Sequence, residues 1–237
     1  SEEFVSAIEP KYNKQKTAST PTVTQTVSRK ADNQQPTSPP TVTQTVLRND
    51  TQFTLVNPNP EIVTFEQVDR VIMKANLKSK TNTAIGINPV INDGIYLLEF
   101  KYENIVANMP QGPGIVKASY VIPKECEPWE NKSTEVTQNM ICLDTRGGEV
   151  MYKGQGKRGN PPYRCGQKIG MELDMGKKTL HFFFDDKQLP IYVSGINEPV
   201  RFFVHMREKG ESFTILSFQH LTGTISKSVP MEKAVDF

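Results

Sequence analysis

Gly154-Gln-Gly-Lys-Arg-Gly159 is a literal G-x-G-x-x-G, the spacing with which glycine-rich turns bring backbone amides against the phosphates of a nucleotide. In the dinucleotide version a helix begins at the glycines, so that its N-terminal amides meet the pyrophosphate. Asn160-Pro161-Pro162 follows at once and denies that helix its first turn. In the kinase version the loop is followed by H-R-D and D-F-G segments, and neither tripeptide occurs in the chain. The spacing therefore predicts a Gly-rich loop between strands, made irregular by the two prolines. A nucleotide-dependent enzyme using Gly154–Gly159 is the weakest of the functions these residues suggest.

The remaining chemistry-bearing residues are few. His181, His205 and His220 share no metal-ligand spacing, and His181 and His205 lie in Phe-rich runs, where a structural histidine is the commoner case. Asp185-Asp186 has the form of a paired acid but falls in a polar turn, where Asp is favoured for its local backbone hydrogen bonds. Cys126, Cys142 and Cys165 form neither a C-x-x-C pair nor a Cys/His metal pattern. They read as reduced thiols of a cytoplasmic protein, and Cys142 or Cys165 would be activated only by a histidine brought near in space. No catalytic residue, cofactor or metal is expected.

Charge points the same way. The net charge of +2, from 28 Lys and Arg against 26 Asp and Glu, sets up no global field for a polyanion. One local exception is the stretch from Tyr152 to Arg164, which holds Lys153, Lys157, Arg158 and Arg164 with Tyr152 and Tyr163 interleaved. Cations alternating with aromatics can track a nucleic-acid backbone, but four of them without a wider basic face favour a solvated loop. An acidic peptide is as good a ligand for it as nucleic acid.

Such residues need a scaffold, and composition divides the 237-residue chain unevenly. All but one of the 12 Phe, all but one of the seven Tyr and the single Trp follow residue 50. Residues 1–52 are rich in Thr, Pro and Gln and carry a repeat, Pro21-Thr-Val-Thr-Gln-Thr-Val27 and Pro40-Thr-Val-Thr-Gln-Thr-Val46. Two copies with only Val to bury cannot offset a backbone ordering cost of roughly 1–2 kcal/mol per residue. The segment reads as a disordered tail, with Thr20-Pro21 and Ser38-Pro39 as proline-directed phosphorylation candidates. No run approaches the roughly 20 apolar residues of a membrane helix, so no membrane partner is expected.

From Phe53 onward, short β-branched and aromatic runs alternate with Gly, Asn, Asp and Pro clusters, the pattern of an all-β sandwich. Lys168–Asp174 places Ile169, Met171 and Leu173 on one face. Val200–Met206 places Val200, Phe202, Val204 and Met206 on one face and Arg201, Phe203 and His205 on the other. In Gly94–Tyr102, Tyr96, Leu98, Phe100 and Tyr102 share a face. Ile115–Ile122, Met140–Leu143, Leu180–Phe184 and the mixed run Phe213–Phe218 are further strands, Leu180–Phe184 being apolar on both faces. Gly176 is expected to supply the positive φ of the hairpin after Asp174. Phe65–Ala75 has helical spacing with a capping-box pattern, Thr64-x-x-Gln67. A strand over Val71–Asn76 is nonetheless expected, because every other element is β.

An ordered series of segments between Gly94 and Leu221 resembles the SPRY domain family. Gly94-Ile-Tyr-Leu-Leu-Glu-Phe-Lys is similar to its Gly, aromatic, apolar-Glu-apolar strand, and Gly114-Ile-Val-Lys-Ala-Ser to the segment that follows. Asp144-Thr-Arg-Gly-Gly-Glu-Val-Met-Tyr-Lys-Gly154 resembles its Gly-rich ribbon. Gly166-Gln-Lys-Ile-Gly through Thr179-Leu-His-Phe-Phe-Phe-Asp-Asp-Lys-Gln-Leu-Pro190 resembles its most specific stretch. Gln167 stands where the family usually has Asp, and Asp186 where it usually has Gly. The resemblance implies a divergent member with a bent, two-sheet antiparallel β-sandwich of the concanavalin or jelly-roll type. It further implies a non-catalytic module that binds protein partners through loops at one end, within larger cytoplasmic signalling or ubiquitin-ligase-type proteins.

The expected organisation is thus a tail over 1–52, a SPRY-like sandwich over 53–222 and a C-terminal extension over 223–237. Binding energy at protein interfaces concentrates in aromatics and arginines, which selects Tyr120, Trp129, Arg146, Tyr163 and Arg164 as partner-binding candidates. Trp129, between Pro128 and Glu130, has an equal claim to folding back on the core. A lectin-like carbohydrate-binding sandwich is the alternative, disfavoured because the chain has no contiguous Asp/Asn constellation for calcium.

Overall fold

A computed structural model describes residues 48–69, 73–106, 109–130 and 134–237. The tail repeat and the Thr20 and Ser38 candidates lie outside the described residues. The strands run in chain order as β1 (Arg48–Asp50), β2 (Thr54–Val56), β3 (Val63–Gln67), β4 (Met73–Leu77), β5 (Thr83–Ile91), β6 (Ile95–Glu103) and β7 (Gly114–Lys117). A short helix α1 (Glu135–Asn139) leads into β8 (Met140–Asp144), β9 (Glu149–Tyr152), β10 (Gln155–Lys157), β11 (Lys168–Asp174) and β12 (Thr179–Phe184). Then come β13 (Lys187–Gln188), β14 (Ile191–Ser194), β15 (Val200–Met206), β16 (Ser212–Leu221) and β17 (Lys233–Asp236).

Two sheets result. The larger has the order β17-β14-β12-β11-β6-β16-β4-β3, with β1 on β16 and β13 on β12; the smaller is β10-β9-β8-β7-β15-β5-β2. Pairing is antiparallel except between β14 and β17. Two of these strands, β1 and β17, fall outside the 53–222 range that composition suggested for the sandwich.

Period-two patterning sets the core. Leu98, Phe100 and Tyr102 of β6, Ile169, Met171 and Leu173 of β11, and Phe202, Val204 and Met206 of β15 all enter the cluster between the sheets. The mixed run in β16 has a mechanical explanation. A register shift between Ile215 and Ser217 moves the inward positions from Phe213 and Ile215 to Phe218, as a bulge must when one extra residue enters a period-two ladder. A second cluster, with Phe203, Val116, Cys142, Met140 and Trp129, lies on the other face of the smaller sheet.

The strand expected over Val71–Asn76 is present as β4, which pairs antiparallel with β3, Phe65 opposite Ala75, while two other local expectations are revised and one helix is added. The helix present caps with Thr134, whose hydroxyl accepts from the Thr137 amide while the Thr137 hydroxyl accepts from the Thr134 amide. The strand begun at Ile115 ends at Lys117, whose carbonyl accepts from the Tyr120 amide in a turn. The positive φ after Asp174 is at Lys178 (60°) rather than Gly176, because Asp174 accepts from the Lys177 amide and places the left-handed residue last in the loop.

The glycine-rich stretch is also more regular than expected. Lys153 and Gly154, with φ of 49° and 74°, close a hairpin between β9 and β10, and Gly156 pairs with Met151 within it. No helix starts there to receive a phosphate. Asp185-Asp186 is a turn, with φ of 47° and 66°. Two positive values in succession are the two-residue hairpin geometry that Asn, Asp and Gly accept, so Asp186 keeps the turn that Gly usually makes. Among the described residues no helix is long and apolar enough to cross a membrane.

Candidate functional site

The loops following β4, β6, β8, β10, β12 and β15 all emerge at one end of the sandwich, as the strand registers require. A buried polar network ties several of them together. Glu211, fully buried, accepts the amides of Arg207 and Glu208 on Oε2, at 2.7 and 3.0 Å. Its Oε1 accepts from Gln111 Nε2 at 3.0 Å. Gln111 in turn accepts from the Thr145 hydroxyl through Oε1 and donates its amide to it, both at 3.1 Å. A buried carboxylate is tolerable only when donors meet it, and here those donors belong to the β15–β16 and β6–β7 loops.

Thr145 passes the register on to the proposed contact residues. Its carbonyl accepts from the Tyr163 amide at 2.8 Å, which sets Arg146 beside Tyr163 and Arg164. Asp144 accepts from both the amide and the guanidinium of Arg146, at 2.9 and 3.1 Å, holding that exposed side chain by its base. Tyr163 is half-buried, its ring edge-on to Tyr102 and Phe184 at 6.0 and 5.6 Å and its hydroxyl donating to the Gln167 carbonyl at 2.9 Å. Burial pushes its phenol up to about 12. Arg164 is exposed and its amide donates to Gln167 Oε1 at 2.8 Å. Gln167 Nε2 donates to Asp185 at 3.0 Å. The Gln that replaces the usual Asp thus bridges this loop to the Asp185-Asp186 turn.

Lys168 extends the same end. Its ammonium lies 2.7 Å from both Glu99 and Asp186; partial burial pulls its pKa down, but the two carboxylates outweigh that and leave it raised. Asp185 is held below the usual carboxylate range by the Lys168 amide and the Gln167 side chain.

Close backbone approach fixes the ribbon itself. Gly148 has a φ of 68°, and a Cβ there would lie 2.2 Å from the Asn160 carbonyl oxygen. Gly148→Ala therefore combines left-handed strain, about 1–2 kcal/mol, with a backbone clash. We expect a stability loss of about 2 kcal/mol or more by denaturant titration, together with weakened partner binding. Unchanged stability would contradict this packing of the 145–148 loop on residues 158–164.

The five sequence-selected residues do not converge. Arg146, Tyr163 and Arg164 share the loop end. Tyr120 follows β7 at the opposite end, half-buried against the cluster on the outer face of the smaller sheet. Trp129 is 8% exposed in that cluster, edge-on to His205 at 4.2 Å between ring centroids. Of its two readings, folding back on the protein describes its position.

The basic stretch is also dispersed. Lys153 sits at the far hairpin tip over the Tyr152 ring, Lys157 donates to the Ala234 carbonyl, and Arg158 pairs with Glu149. Cys142 is buried, which drives its thiol pKa up, while Cys165 is exposed. His181 stacks on Tyr192 and His220 lies against Tyr96, and no group of three or more His, Cys, Asp and Glu suited to a metal occurs among the described residues. Sequence reading missed Gln111, Thr145 and Glu211. Their separations of 34 and 100 residues leave no local pattern to find.

Two solved structures are similar in fold. The SPRY domain of human HERC1 covers 65% of this chain and 98% of its own, with 14% identity and a TM-score of 0.51. A human SPRY domain covers 74% of this chain and 100% of its own, with 14% identity and a TM-score of 0.50. The fold is that of a SPRY domain. No family model and no curated protein matches the sequence. Two of the four segments that carried the resemblance, the β8–β9 ribbon and the β12–β13 turn, border the loop end just described.

Proposed function

We propose that the domain is a non-catalytic protein-interaction module that recognises a partner peptide or protein surface through its loop end. The observation that carries this reading is the buried Glu211–Gln111–Thr145 network, which holds Arg146, Tyr163 and Arg164 side by side on a rigid scaffold. Preorganised arginine and tyrosine lose little entropy on binding and are the residue types that dominate interface energetics. SPRY domains generally serve as such modules, and the setting proposed is a larger cytoplasmic signalling or ubiquitin-ligase-type protein.

Affinity capture with the wild-type protein and a Tyr163→Ala/Arg164→Ala variant tests the face. Hot-spot truncations cost about 2 kcal/mol or more each, so partners should be lost or weakened at least tenfold while the melting temperature changes little for Arg164→Ala alone. Identical partner lists would refute the loop end as the binding face.

A further inference from the structure

β17 and β10 are terminal strands of the larger and the smaller sheet. Among the described residues β17 pairs with β14 alone and β10 with β9 alone, and a groove of about 510 Å³ lies between their outer edges. Alternation decides which backbone groups of β17 reach it. The Lys233 and Phe237 amides donate to the Pro190 and Ser194 carbonyls at 2.9 Å each, so the Ala234 and Asp236 amides point away from β14. The Ala234 carbonyl agrees, accepting from Lys157 Nζ across the groove at 2.8 Å. On β10, Tyr152 and Gln155 flank a two-residue hairpin turn and form its hydrogen-bonded pair, which turns the amide and carbonyl of Gly156 outward.

The side chains give this groove a sign. Val150, Tyr152 and Val235 supply its apolar lining, the first two buried in the core between the sheets. Lys153 and Lys157 line it as well. The Lys153 ammonium lies 4.6 Å from the centre of the Tyr152 ring, and neither lysine pairs with a carboxylate among the described residues. Asp236 is the one acidic residue lining the groove, and it accepts from the Ser194 hydroxyl at 3.5 Å. An open edge invites strand pairing, and lysine is a common guard against it. Here the guard is displaceable, because a carboxylate offers the Lys157 ammonium a full opposite charge in place of the neutral Ala234 carbonyl.

We propose that the groove between β10 and β17 binds an extended acidic peptide by strand addition to β17. The peptide backbone pairs with Ala234 and Asp236, and an apolar side chain rests on Tyr152 and Val235. Its carboxylates draw Lys157 off the Ala234 carbonyl and meet Lys153. Main-chain pairing supplies the affinity of such additions, and alternate side chains supply their specificity. The basic stretch that began as an isolated feature of the sequence thus acquires a ligand, on a surface that does not include Arg146, Tyr163 or Arg164.

Fluorescence anisotropy with the full chain and a labelled peptide of alternating glutamate and valine tests this. The wild-type protein should bind the peptide saturably, with an affinity that falls as salt rises. Lys153→Glu/Lys157→Glu should weaken binding at least tenfold, and a peptide of alternating lysine and valine should bind at least tenfold more weakly than the acidic one. Ala234→Pro deletes an amide that the ladder with β14 does not use, the setting in which an edge strand tolerates proline. It should abolish binding with little change in melting temperature. A peptide N-methylated throughout has no amide donors, so it tests the same pairing on the unaltered protein and should not bind. Arg164→Ala should leave the affinity unchanged, which keeps this result distinguishable from the fate of the loop-end reading. Absence of saturable binding, equal binding of the lysine peptide, or an affinity indifferent to N-methylation or to the lysine changes would overturn the proposal. A wild-type dimer that Ala234→Pro dissociates in sedimentation would give the edge to a second copy and equally overturn it.

Discussion

Lowering the pH from 7 to 5 is expected to cost the domain about 2 kcal/mol through one residue, His205. Its ring is fully buried beneath Trp129, and the Cys126 backbone, the one group that favours its charged form, is outweighed. Burial, reinforced by the Arg207 cation, drives its pKa from 6.5 down to about 3. The unfolded chain therefore binds a proton between these values that the folded domain refuses. Stability is full above pH 6.5 and falls by about 1.4 kcal/mol per unit as pH drops toward 3. His181, also lowered by burial, adds a slope of the same sign. Glu103, lowered chiefly by its hydrogen bond to Lys74, adds one only below the carboxylate range. Urea titrations at pH 7, 6 and 5 should show the loss, and His205→Phe, which keeps a ring without the proton site, should remove most of it. An unchanged slope in that variant would place the proton uptake elsewhere.

Trp129→Ala is expected to cost about 3–5 kcal/mol, the range for removing a buried Trp. The ring fills the space over Gly112 and Cys142 as well as His205; a Cβ added at Gly112 would lie 3.0 Å from it. Opening this site also admits water to the imidazole, so the pH slope should become shallower in the same variant. Both readouts separate a packing role from a binding one. If Trp129 were mainly a partner contact, the variant would keep its stability and pH profile while losing binding.

These two residues show how far patterns reach. Alternation in Val200–Met206 correctly separated Phe202, Val204 and Met206 from Phe203 and His205, because side chains in a strand must alternate. It did not reveal that the second face is also covered, since the segment that covers it is irregular and lies some 70 residues earlier. The same holds for Lys168–Asp174, where Ile169, Met171 and Leu173 face the core and Glu172 on the other face is also buried, accepting from the Thr224 hydroxyl and the Ile225 and Ser226 amides. Helical spacing in Phe65–Ala75 was rightly set below the β texture of the other elements: the expected strand is present as β4, paired with β3 and β16, because four apolar matches are weak evidence beside the hydrogen bonds of a sheet. Asp185-Asp186 was legible as a turn because its chemistry is local.

The sequence by itself determined the β class, the strand faces, the turn at Asp185-Asp186 and the resemblance that the SPRY fold upheld. Each depends on residues within a few positions of one another. Tertiary structure alone decided what became of the five contact candidates, which divide between a loop end and the cluster on the outer face of the smaller sheet. It also decided which polar residues matter at the loop end. Glu211, Gln111 and Thr145 act through hydrogen bonds between segments that only chain closure brings within 3.1 Å, and no spacing along a strand encodes a distance across the sandwich.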